Sequence, residues 1–240
     1  MRRISGGSSG PNHREMGYQQ HMRVVACGLL VVLCAACGRS DPPPAPPSPA
    51  GPQVADPAGI DRIRTRLPAD YEIAPLPTPP MPVTFWGVAP GWSAQPAACA
   101  ALPAVAPDVA TRGWAASGPG GIVYALVAAG PAPTPELRGD CATWTLTGGR
   151  TTAAVTLGDG PPIPDARTAS MTVVLTTGVE NGTETHSQAS TLVAYLDELA
   201  ISVTVVTDPG SDATQLPGQL PAQLLDAAVR AIRGGGGATR

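Results

Sequence analysis

"CATWTLTGGRTTAAVTL", residues 141–157, decides the fold. Two runs rich in Thr, Val and Trp flank Gly148 and Gly149. β-branched and aromatic residues favour strands, and glycine supplies the positive φ that a tight primed turn requires. The stretch predicts a β-hairpin.

Working outward, the same grammar recurs. "IVYALVA" (122–128) is a near-continuous apolar run of strand length, and "SMTVVLTT" (170–177) predicts another strand. "STLVAYLDELAISVTVVT" (190–207) predicts a second hairpin about Asp197-Glu198, with Asp208-Pro209-Gly210 as a turn after it. The polar "GVENGTETHSQ" (178–188) reads as a loop, and "VTFWG" (83–87) as a short strand.

Helices bracket this block. Asp56-Pro57 offers an N-cap and a first-turn proline, and Ile60, Ile63 and Leu67 share one face of a short helix. "LPADYEI" (67–73) ends it and continues extended, because a residue before proline disfavours the helical region. "SAQPAACAAL" (93–102) reads as a second short helix. Leu220, Leu224, Leu225, Ala228, Val229 and Ile232 form the stripe of a closing helix, stopped by the glycines at 234–237.

Hairpin-linked strands with flanking helices predict an α+β domain over residues 57–234. It should hold a central antiparallel sheet of about five to six strands, with N-terminal and C-terminal helices packed on it. Residues 235–240 read as a disordered tail.

The N-terminal quarter has a different character. Residues 1–21 are polar and patternless, which suits either a disordered extension or a start site placed too early. Residues 22–36 read as a lipoprotein signal peptide: Arg23, then the apolar "VVACGLLVVL" (24–33), too short for a bilayer span. "CAAC" (34–37) is similar to a bacterial lipobox, with Cys37 as the residue that would receive diacylglycerol. Cys34 departs from the usual Leu, and cleavage by a non-lipid peptidase is the alternative. The proline-rich stretch after it, within residues 37–56, reads as a semi-rigid tether of polyproline II character. These features predict a lipid-anchored protein on the extracytoplasmic face of the cell membrane.

Removal of the signal peptide leaves Cys99 and Cys141 as a pair. In an exported domain an even pair reads as one disulfide, with two buried thiols as the alternative.

The chemistry on offer is sparse. The chain holds fifteen basic residues, all Arg, and its net charge is −3. Beyond residue 37, eleven Arg face seventeen Asp and Glu, a balance of about −6. An acidic surface without lysine lacks what phosphate backbones need, so nucleic-acid binding is not expected. His186 is the one histidine after the signal segment, which leaves a catalytic triad or a zinc site without partners. Glu180, Glu184, Asp197 and Glu198 fall close together in sequence but carry no calcium-loop motif. "SGPGG" (117–121) has neither the lysine of a phosphate loop nor dinucleotide spacing, and reads as a turn. No catalytic residue, metal or cofactor is expected.

The aromatics hold the remaining signal. Trp86, Trp114, Tyr124 and Trp144 stand in a chain only 4% aromatic. They are candidates to line an apolar groove, or else large fillers of the core. A lipid, a glycolipid or an envelope protein is the kind of partner such a groove would suit.

Finally, "LPADYEI", "FWG", "GWAASGPGGIVYALVA", the cysteine before "W-T-L" and "AYLDELAISVTVVTDPG" carry a resemblance. The chain resembles a mycobacterial lipoprotein family with an uncharacterised actinobacterial domain. More distantly it is similar to the extracellular sensor domain of a mycobacterial serine/threonine kinase. That resemblance implies an antiparallel sheet with packed helices, a cleft and disulfides. It implies a sensor-like, non-catalytic domain, although that group has two disulfides and this chain offers one pair.

Overall fold

A computed structural model describes residues 55–106, 108–207 and 216–234. The signal segment, Cys37, most of the tether, the Asp208-Pro209-Gly210 turn and the tail after Gly234 lie outside the described residues.

The predicted hairpin is there. Strand β5 (Thr143–Gly148) pairs with β6 (Thr151–Gly158) in antiparallel register, with Gly148 opposite Thr151. The turn residues are therefore Gly149 and Arg150, one position later than expected. Gly149 has φ 59°, the position at which a II′ turn needs glycine.

Around this hairpin the chain builds one nine-stranded antiparallel sheet in the order β1-β3-β4-β9-β8-β7-β6-β5-β2. The other strands are β1 (Glu72–Ala74), β2 (Ser93–Gln95), β3 (Thr111–Gly118), β4 (Gly121–Ala129), β7 (Arg167–Gly178), β8 (Glu184–Leu196) and β9 (Leu199–Thr207). Five to six strands were expected, and the described residues hold nine. The additional ones are β3 and the two edge strands. β1 and β2 are three residues long, too short to carry a pattern, and exist by pairing with β3 and β5. β3, "TRGWAASG", is made mostly of Gly, Ala and Ser and becomes a strand through its hairpin with β4. Its turn is Pro119-Gly120, as the "SGPGG" reading expected.

Two further expectations are corrected. "GVENGTETHSQ" is no loop: β7 and β8 run on as strands of 12 and 13 residues, closed by a tight turn at Glu180–Gly182. "VTFWG" is no strand. Helix α1 (Pro82–Phe85) starts on a proline whose fixed φ suits a first helical turn. As a strand, Phe85 and Trp86 would point to opposite sides, whereas here both are buried against the sheet.

The N-terminal helix Pro57–Arg66 is a 3-10 helix, capped by Asp56, whose carboxylate accepts from the Ala58 N–H at 2.9 Å. "SAQPAACAAL" divides into β2 and a 3-10 segment, Ala97–Ala101. Short helix α2 (Pro135–Asp140) precedes β5, and α3 (Leu220–Arg233) closes the chain. All six residues of the predicted α3 stripe are buried.

The two halves of the sheet bury opposite faces. On one face, α3 and the N-terminal 3-10 helix cover β3, β4, β9 and β8, enclosing Trp114, Val123, Ile201 and Val203. On the other, α1 and the disulfide region cover β5 to β8, enclosing Trp86, Trp144, Met171 and Val173. β8 serves both cores, Ala194 and Leu196 facing one and Ala189 and Val193 the other.

Candidate functional site

On the face away from α3, the register of the central strands sets side chains in rows. Leu126, Ser202, Val193 and Ala169 form one row across β4, β9, β8 and β7. Ala128, Ala200, Tyr195 and Arg167 form the next. Ala128 and Ala200 are small, so the sheet surface dips between Leu126 and Tyr195. That dip is the floor of a cavity of about 280 Å³.

Its walls come from outside the sheet. Pro82 of α1 closes one side. Residues 101–105 follow the Ala97–Ala101 segment, and residues 129–134 lead into α2, whose Leu137 completes the lining. The Cys99–Cys141 disulfide links the two walls, with Cα atoms 5.6 Å apart and both cysteines fully buried. The lining is mostly Ala, Pro, Leu and Val. Its polar groups are the hydroxyls of Ser202, Tyr195 and Thr134, of which Thr134 is engaged as the N-cap of α2.

Tyr195 sits at the polar end. Burial pushes its hydroxyl above the usual tyrosine range, and the charges of Arg138 and Arg167 pull the other way. Tyr195 and Arg167 also line a shallow recess beside the cavity, with Asp165 and Asp197. Arg138, on α2, donates to the Thr168 carbonyl at 3.1 Å and pairs with Asp159 at 2.8 Å.

The four aromatic candidates do not converge on this cavity. Trp114 lies on the opposite face of the sheet, fully buried, and its indole N–H donates to the Ile60 carbonyl at 2.9 Å. Trp86 and Trp144 come together in the core of the cavity face, with ring centroids 6.5 Å apart. Trp86 donates to the Thr191 hydroxyl at 2.9 Å, and Thr191 bonds Thr204 at 2.8 Å. Tyr124 stacks on Phe85, with centroids at 4.5 Å and planes 5° apart. Trp86 and Tyr124 therefore seat α1 against the row next to the floor. They hold a wall in place and do not line it. The reason is burial: large rings fill the thickest parts of two cores, and the floor is made where side chains are smallest.

The lining residues had no motif to betray them. Ala128 and Ala200 belong to runs that read simply as strand, and only the register reveals them as neighbours. The acidic cluster read from the sequence is dispersed. Glu184 and Asp197 stand 13 residues apart along β8, roughly 40 Å at a strand's rise. His186 lies on the exposed face of β8, opposite Thr176, whose hydroxyl is 3.2 Å from its Nδ1. Among the described residues no cluster of His, Cys, Asp and Glu is arranged to hold a metal.

The fold is similar to the crystal structure of the uncharacterised Rv0999 ortholog of Mycobacterium smegmatis. The two share 20% identity with a TM-score of 0.56, over 75% of this chain and 97% of that one. The extracellular domain of PknH from Mycobacterium tuberculosis aligns at 12% identity and a TM-score of 0.41, over 76% of this chain and 93% of that one. No curated protein matches the chain. Residues 56–233 match the family described as a domain of unknown function, DUF5642, and the chain belongs to that family.

Proposed function

We propose that this chain is a lipid-anchored extracytoplasmic protein whose domain binds a small apolar ligand without carrying out chemistry on it. The observation that carries the reading is the cavity of about 280 Å³, walled by two disulfide-linked segments and floored by Leu126, Ala128, Ala200 and Ser202. Ligand sites are typically concave and apolar, with a few placed polar groups. The non-catalytic reading is supported by the lining, which offers hydroxyls but no histidine, thiol or carboxylate among the described residues. The location is supported by the buried disulfide, since such bonds persist in oxidising compartments. Anchoring through Cys37 rests on the lipobox-like residues 34–37.

Native mass spectrometry of the chain extracted from its own envelope tests the binding. A bound apolar mass is expected, and Ala200→Leu, which puts three further carbons into the cavity, should abolish it. An empty chain, or a mass that Ala200→Leu leaves in place, would overturn the reading. Cys37→Ala should shift the protein from the membrane to the soluble fraction.

A further inference from the structure

The cavity is apolar along its length and adjoins, at Tyr195, a recess that Arg167 lines, and that asymmetry limits what fits. An apolar cavity of about 150 Å³ accommodates benzene, so about 280 Å³ holds roughly eleven carbons. That is one chain or one compact ring system, not a two-chain lipid lying inside. The row Ala128–Ala200–Tyr195–Arg167 runs from the apolar floor to the position of Arg167, because Arg167 pairs directly with Tyr195 across β7 and β8. Directly opposed residues bring their Cβ atoms within about 5.5 Å.

Arg138 approaches the same end from α2, anchored one residue along β7 by its bond to the Thr168 carbonyl. Its charge is shared with Asp159, an exposed partner. Arg167 is the freer of the two. Asp165 and Asp197 line its recess, yet among the described residues no carboxylate oxygen lies within 4.0 Å of its guanidinium. No carboxylate lines the cavity itself among those residues. An exposed arginine without a carboxylate partner among the described residues, in a recess that adjoins an apolar cleft, matches the planar oxygens of a carboxylate or phosphate.

We infer that the cavity takes a single-chain anionic amphiphile, its chain over Ala128 and Ala200 and its anionic oxygens against Arg167, beside Arg138 and the Tyr195 hydroxyl. This rests on the cavity being a ligand site, and adds which end of the ligand is charged and with what sign.

The test uses the full chain carrying Cys37→Ala, titrated calorimetrically with decanoate, decyl phosphate and decanol at low salt. Both anions are expected to bind at least tenfold more tightly than decanol, an advantage that shrinks as salt is raised. Arg167→Gln should remove most of that advantage and leave decanol unchanged. Asp197→Asn keeps a residue that tolerates the left-handed φ of 52° at that turn and should tighten anion binding. The stronger of the two anions identifies the head as carboxylate or phosphate. If decanol binds as tightly as the anions, or Arg167→Gln changes nothing, the charged end is wrong while the cavity remains a ligand site. If none of the three binds, both readings fall together.

Discussion

Cys99 and Cys141 join two segments 42 residues apart, and those segments form two of the cavity's walls. Closing a loop of that length removes unfolded-state entropy equivalent to about 4 kcal/mol in the chain-entropy model. Replacing both cysteines by Ala should lower the unfolding free energy by about that amount in urea melts. Hydrogen exchange should accelerate first in residues 101–105 and 129–137, and slow exchange there would show that the walls hold without the bond.

Gly59 carries the contact between the N-terminal 3-10 helix and α3. A Cβ there would stand 2.6 Å from the carbonyl carbon and oxygen of Ala231 and 2.7 Å from the Ile232 nitrogen. Backbone cannot yield as a side-chain tip does. Gly59→Ala should therefore cost about 1–3 kcal/mol by forcing the two helices apart. Thermal denaturation measures it, and an unchanged melting temperature would contradict the close approach.

Two buried tryptophans should respond differently to the same change. The Trp114 indole donates to the Ile60 carbonyl, whereas the Trp144 indole N–H finds no acceptor among the described residues. Trp114→Phe leaves a buried carbonyl short of a donor, at about 1–3 kcal/mol beyond the packing loss. Trp144→Phe carries no such term. Denaturant midpoints for the two variants should differ in that order.

Tyr71, Tyr124 and Tyr195 all have hydroxyls raised by burial, with Asp70 adding to the effect at Tyr71. A raised folded-state value means stability is fully present below the unfolded value, near pH 10, and is lost as pH climbs from there through the folded value. With no lysine in the chain, tyrosines dominate the titration in that window. Tyrosinate absorbance should therefore lag behind that of free tyrosine, and the melting temperature should fall above about pH 10. Tyr195→Phe should soften the fall.

Legibility followed the length and chemistry of each element. β4 to β9 were readable because Val, Ile and Thr runs met glycine or Asp-Glu turns at hairpin spacing, and α3 because its stripe spans 14 residues. α1 misled because "VTFWG" has strand composition in only five residues, and the proline before it decided otherwise. β1 was legible only as an extended segment after Leu67-Pro68, and β2 was read as part of a helix, since three residues carry no period. The disulfide was legible by counting cysteines. The cavity was not, because it depends on which alanines lie opposite which across three strands. Trp86, Tyr124 and Trp144 lie on the cavity's side of the sheet but are not among its lining residues.

β8 and β9 give alternate residues to two cores on opposite faces, so neither core can come apart while the other stays whole. Melting should be a single cooperative event read identically by Trp114 on one side and Trp86 on the other. A ligand over the floor then stabilises the entire domain by mass action, including α3, which it never touches. Slowed amide exchange in that distant helix would announce that the cavity is filled.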